Sequence, residues 1–180
     1  MKDFLKKVWY FIWHDDSLLS WVVNVLLAFI IVKFIVYPGL GFIFGTSYPL
    51  VAVVSCSMEH NIEFNSWWEQ NKEFYEKINI SKENFENFPF KNGINQGDIM
   101  VLKSGSNIKI GDIIVFSSSN QNPIIHRIID LNPLKTKGDN NKISDPNTGQ
   151  VLGKAIFRTP YLGWIKIGFN GLISQKIIKC

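Results

Sequence analysis

Histidine is scarce in this 180-residue chain, with three copies, and cysteine is scarcer still, with two. Cys56 and Cys180 match no zinc-ligand spacing, which excludes a structural zinc site and leaves a disulfide between them open. Lysine and arginine number 19 but are scattered along the chain. The basic stripe of a DNA or RNA binder is therefore missing, and nucleic acid is excluded as a partner. With 46% apolar and 19% charged residues, the chain is too apolar to be intrinsically disordered. Its length allows one compact domain plus a small attachment. Charge is absent altogether from Pro38 to Met58. No small-residue cleavage site follows the apolar run near the N-terminus, where Tyr37-Pro38-Gly39-Leu40 stands instead, so a cleavable signal peptide is excluded.

That apolar run, LLSWVVNVLLAFIIVKFIVY from Leu18 to Tyr37, has about the 20 residues needed to cross a bilayer core. Ser20 and Asn24 are tolerable because a helix satisfies its own backbone, and Lys33 lies one turn from the end, where its stem can snorkel. The span predicts one uncleaved transmembrane helix over 18–37. Lys2, Lys6 and Lys7 precede it, so the positive-inside rule puts residues 1–17 in the cytoplasm and everything beyond Pro38 outside. The localisation expected is a single-pass protein of the cell membrane. Phe4, Leu5, Val8, Trp9, Ile12 and Trp13 recur at helical spacing, as in a segment lying on the inner leaflet of the lipid. A disordered tail is the plainer alternative there.

Beyond the span, Gly39 to Pro49 reads as a short apolar loop, and Leu50 to Val54 as a strand. Gly97-Asp98-Ile99 to Leu102, Gly111-Asp112-Ile113 to Phe116, Pro123 to Ile129 and Val151 to Phe157 are further β-rich runs opened by turn signals. Alternation sets Ile124, His126 and Ile128 on one face. Residues 61–95 interrupt the pattern with two helical stretches, Ser66 to Lys77 and Ser81 to Phe88, the second with Ser81 as N-cap. This insertion is expected to pack its aromatics onto the β-core, with a partner surface or membrane-dipping flap as the alternative. The fold class is mainly β: an extracytoplasmic domain over 38–165 with one helical insertion, followed by a membrane-proximal tail over 166–180.

Ser55-Cys56-Ser57-Met58-Glu59 follows a strand directly. A serine there is exposed at a strand end, though by itself a serine in a turn is commonplace. A nucleophilic serine needs a base, and the base needs a group that fixes its tautomer. His14 lies on the wrong side of the span. His60, three residues from Ser57, is close enough to serve, although a turn histidine is more often solvated. His126 sits within an apolar strand, where a histidine is as often a satisfied core residue as a functional one. Asp139 and Asp145 flank a glycine- and asparagine-rich turn that would otherwise merely cap a hairpin.

Taken together and in order, the Ser-x-Ser-Met segment, the two Gly-Asp-Ile runs, Ile125-His126-Arg127 and Thr136-Lys137-Gly138-Asp139-Asn140-Asn141 resemble the boxes of signal peptidase I. Histidine at the base position resembles the archaeal and endoplasmic-reticulum branch; bacterial relatives carry lysine there. The resemblance covers roughly residues 18 to 165 without the insertion. It implies a β-rich catalytic domain and a membrane-bound serine endopeptidase that removes signal peptides from secretory preproteins after small residues. It implies no cofactor and no metal, with preproteins as substrate and the protein-export machinery as a partner. By position it implies Ser57 as nucleophile, His126 as general base, Asp145 as the supporting acid and Asp139 as a second carboxylate. Ser55, through its hydroxyl, and Ser57, through its backbone N–H, match an oxyanion hole. The sequence departs from the family pattern at Cys56, usually glycine, and at His60, usually proline. The alternative reading is a non-catalytic membrane-anchored β-domain that binds exported proteins.

Overall fold

The computed structural model describes residues 2–118 and 123–168, divided into two compact units, residues 1–43 and residues 44–180. In the first unit, α1 (Lys2–Trp13) is followed by α2 (Leu18–Ile31), a π-helical turn (Val32–Val36) and α3 (Tyr37–Phe44). Ser17 caps α2 through the backbone N–H of Ser20. The two polar residues inside the apolar run turn back to α1: Ser20 Oγ donates to the Phe11 carbonyl (2.6 Å) and Asn24 Nδ2 to that of Ile12 (2.9 Å). They satisfy carbonyls that a helix C-terminus leaves without intrahelical donors.

The expected loop over Gly39–Pro49 is helical as far as Phe44. Pro38 has no N–H and its ring crowds the preceding turn. Here the ladder widens just before it, with the Tyr37 N–H reaching Val32, and the helix continues through the proline. The continuous helix Leu18–Phe44, 27 residues long, is long and apolar enough to cross a membrane.

The second unit is built on a six-stranded, wholly antiparallel sheet in the order β1-β2-β6-β3-β4-β5. Its strands are β1 (Leu50–Ala52), β2 (Ile99–Lys103), β3 (Ile113–Phe116), β4 (Ile124–Leu131), β5 (Leu134–Lys137) and β6 (Val151–Thr159). Every residue of β3 is buried. Its alternation sends Ile113 and Val115 into a cluster with Val53, Met58, Met100 and Ile125. Ile114 and Phe116 go to the opposite face with Ile128 and Ile124. The expected sharing of a face by Ile124 and Ile128 is therefore found. Strand β5 was not foreseen, because Leu134-Lys135-Thr136-Lys137 carries a single large apolar residue.

The two Gly-Asp-Ile runs begin with the same turn. Gly97 and Gly111 have φ of +87° and +91°, the third position of a turn that disfavours any side chain. The following aspartate closes each turn with its carboxylate, Asp98 accepting from the Asn95 N–H (2.9 Å) and Asp112 from the Lys109 N–H (2.8 Å). Both are paired with basic residues of β6: Asp98 with Arg158 (3.3 Å) and Asp112 with Lys154 (2.9 Å).

The insertion between β1 and β2 forms α4 (Phe64–Lys77) and α5 (Lys82–Glu86), the latter opened by a reciprocal capping box between Ser81 and Asn84. Trp67, Trp68, Tyr75, Ile80 and Phe85 bury themselves with Ile129 of β4. The aromatics therefore serve packing on the β-core. Trp164 lies against Gly97, and the tail expected over 166–180 lies outside the described residues beyond 168, Cys180 included.

Candidate active site

Ser57 stands in a turn after β1 that is fixed at both ends. Before it, Val53 exchanges backbone hydrogen bonds with Gly97 and Asp98. After it, Met58 is fully buried, its carbonyl accepts from the Ile94 N–H, and buried Glu59 accepts from the Gln96 N–H (2.6 Å). Cys56 lies between the two serines and is partly buried.

Strand β4 brings His126 to this turn. Its Nε2 lies 3.0 Å from Ser57 Oγ and its Nδ1 lies 2.7 Å from Asp145 Oδ2. The same carboxylate oxygen accepts from Thr136 Oγ1 (2.6 Å), and the Asp145 N–H donates to the Thr136 carbonyl (2.8 Å). With Asp145 ionised, Nδ1 carries the proton and Nε2 is left as the acceptor facing the serine hydroxyl. The His126 side chain is 7% exposed and that of Asp145 14%, so the chain of hydrogen bonds is largely withdrawn from water. Ser55 Oγ lies 3.2 Å from Ser57 Oγ. Among the described residues, no group of three or more His, Cys, Asp and Glu is arranged to hold a metal ion.

Four of the expected residues, Ser55, Ser57, His126 and Asp145, thus come together. Asp139 does not join them. It is fully buried, bound bidentately by Arg127 (Nε to Oδ1 2.9 Å, Nη2 to Oδ2 2.7 Å), and His60 Nε2 lies 3.2 Å from it. Burial alone would raise the Asp139 pKa. The Arg127 charge and the hydrogen bonds from His60 and Arg127 outweigh it and hold the group at about 2. His60, the second histidine near Ser57 in sequence, stacks on Trp67 at 3.8 Å and faces Asp139.

Arg127 is wholly buried and places every donor it has. Besides Asp139, it reaches the carbonyls of Pro89, Gly111 and Phe90 at 2.8–3.0 Å. Strand alternation makes neighbours of two opposite duties: His126 faces the serine while Arg127 ties the insertion, the β3 turn and the Asp139 turn together.

Sequence reasoning assigned no role to Thr136, Gly138 or Asn140. Asn140 donates its N–H to the Ser57 carbonyl (2.8 Å) and its Nδ2 to that of Cys56 (3.2 Å). A Cβ at Gly138 would stand 2.7 Å from the Ser57 carbonyl and 2.8 Å from His126 Nε2. Gly138→Ala must therefore displace the imidazole or the serine turn. A shift of about 1 Å between reacting groups can cost on the order of 100-fold. Under the peptide-cleaving reading proposed below, the variant should show at least a tenfold lower kcat, by roughly that reckoning; an unchanged kcat would mean that the turn moves freely.

No family model matches the chain. Two curated proteins do. Over 120 residues, 62% of this chain, it is 28% identical to the signal peptidase complex catalytic subunit SEC11 of Scheffersomyces stipitis. Over 81 residues, 35% of the chain, it is 38% identical to the signal peptidase complex catalytic subunit sec11 of Schizosaccharomyces pombe. The family they support is signal peptidase I of the endoplasmic-reticulum type. The chain spans about half the length of these curated relatives, 53% and 43%.

Proposed function

We propose that this chain is a membrane-anchored serine endopeptidase that removes signal peptides from exported preproteins. The observation that carries the reading is the unbroken line Ser57 Oγ–His126 Nε2/Nδ1–Asp145 Oδ2, with steps of 3.0 and 2.7 Å. Similarity to catalytic subunits of a signal peptidase complex supports the substrate class. A binding module would need no such line of acid–base groups.

In the reaction, the Ser57 hydroxyl attacks the scissile carbonyl while His126 Nε2 takes its proton. Asp145 stabilises the imidazolium through Nδ1–H. The oxyanion is met by the Ser57 N–H and the Ser55 hydroxyl. The proton then passes to the leaving amine, and a water activated by the same imidazole releases the signal peptide from Ser57. Asp139 supports the site from beneath, as the anchor of Arg127. The helix Leu18–Phe44 anchors the chain in the cell membrane, with Lys2, Lys6 and Lys7 on the cytoplasmic side and the catalytic unit outside. Partner subunits and the export machinery belong to the same reading, by analogy with the complex named for the relatives.

An extended substrate that pairs with a strand edge presents the first and third residues before the scissile bond to the same side. Both pockets are expected to be small. Full-length protein in detergent should cleave a preprotein with alanine at both positions. A bulky aromatic residue just before the bond should lower kcat/KM by about 100-fold or more, since overpacking a filled pocket costs a few kcal/mol. Equal cleavage of the two substrates would remove the signal-peptidase reading while leaving a serine hydrolase.

A further inference from the structure

Lys137 is a lysine in an unusual place. Its side chain is 1% exposed, and its ammonium lies 5.0 Å from the ring centres of both Phe74 and Tyr75 in α4. The acceptors it reaches are uncharged: the Gly138 carbonyl (3.1 Å), the Asp139 carbonyl (3.2 Å) and the Tyr75 hydroxyl (3.4 Å). Those two carbonyls belong to the turn whose Gly138 backbone abuts Ser57 and His126 and whose Asn140 N–H holds the Ser57 carbonyl. We propose that Lys137 is a positioning residue for peptide cleavage, its ammonium caged by the insertion and holding the 138–141 turn against Ser57 and His126. The proposal rests on the serine-protease reading above and gives the insertion a part in the reaction: α4 supplies the aromatic cage that keeps the ammonium aimed at the turn.

The energetics separate this role from a purely structural one. Burial lowers the Lys137 pKa to about 8, with Arg127 adding to the effect and Asp139 and Asp145 opposing it. The folded state therefore binds fewer protons than the unfolded one between about pH 8 and pH 10.5, and stability rises with pH across that window. At neutral pH the buried charge works against the fold. Replacing it with methionine relieves that cost and leaves the Asp139 carbonyl without its donor. The two changes oppose each other in stability, whereas only the second acts on the turn.

The test uses the full chain in detergent with a cleavable preprotein, and compares Lys137→Met and Lys137→Gln with the parent and with Lys142→Met, an exposed neighbour, as control. Lys137→Met should lower kcat by about 10- to 100-fold, with KM within about twofold and Tm close to that of the parent. Lys137→Gln, whose amide can still donate to a turn carbonyl, should recover part of kcat. Parental kcat in Lys137→Met, equal losses in both variants, or a loss confined to KM would overturn the proposal. If Lys137→Met does not fold, full kcat in Lys137→Gln overturns it, and a folded Lys137→Gln with reduced kcat sustains it. Ser57→Ala in the same assay separates the two levels: if it cleaves, the serine-protease reading itself fails, whatever the lysine variants do.

Discussion

Ser57→Ala should cut preprotein cleavage by on the order of 10⁴-fold or more while melting with the parent. The size follows from the way a nucleophile and its base act as one unit, so that losing either forfeits nearly the whole covalent route. The lost hydroxyl is half-buried, and its removal leaves the backbone bonds of the Ser57 turn in place. His126→Ala should be about as slow, and the double variant no slower than either single one. Summing of the two losses would mean that serine and histidine act separately. His60→Ala is the informative control. That imidazole faces Asp139 and Trp67, so its loss should leave substantial turnover. Near-parental activity in His126→Ala together with a dead His60→Ala would transfer the base to the second histidine.

Asp139→Ala should destabilise the protein severely, by about 3–5 kcal/mol, because it leaves a fully buried guanidinium without its carboxylate. For a unit of this size that corresponds to a fall in Tm of roughly 10 °C or more. Acid sharpens the test. The Asp139 pKa is lowered in the fold, to about 2 from an ordinary 3.8. Its contribution is therefore complete above about pH 4 and is lost as the pH falls through 2. The gap in stability between parent and variant, followed by thermal melting, should be constant at neutral pH and should narrow below pH 4. A variant melting within a degree or two of the parent, or a gap that does not change with acid, would remove Asp139 as the partner that keeps Arg127 buried.

The strands were legible where alternation and turn chemistry coincided. Gly97-Asp98 and Gly111-Asp112 announced β2 and β3 because each combines a positive-φ residue with a carboxylate that closes the turn. Ser81 announced α5 through its cap. Strand β5 stayed hidden because tertiary pairing with β4, not its own composition, makes it a strand. The helix through Pro38 stayed hidden for a different reason: a widened backbone turn has no side-chain signature. At the site, Ser57, His126 and Asp145 could be listed from the sequence, but only the resemblance, and nothing in the residues themselves, set Asp145 apart from Asp139. Six residues separate them, and one reaches His126 while the other turns inward to Arg127. That division depends on what each meets across the sheet, which spacing within one turn does not encode. Lys137 likewise reads as an ordinary turn lysine until Phe74 and Tyr75 arrive from the insertion.

The position of β6 bears on when such a protein can act. Last of the strands among the described residues, it lies in the middle of the sheet, between β2 and β3. Until Val151–Thr159 has been synthesised and inserted, the β1-β2 pair that leads to Ser57 shares no strand ladder with the β3-β4-β5 group that carries His126. Ser57 and His126 are 69 residues apart in the chain, and closing so long a loop is entropically costly before native contacts repay it. Up to β5, the serine and its base thus belong to two sets of strands that share no ladder, and β6 is the strand that joins them.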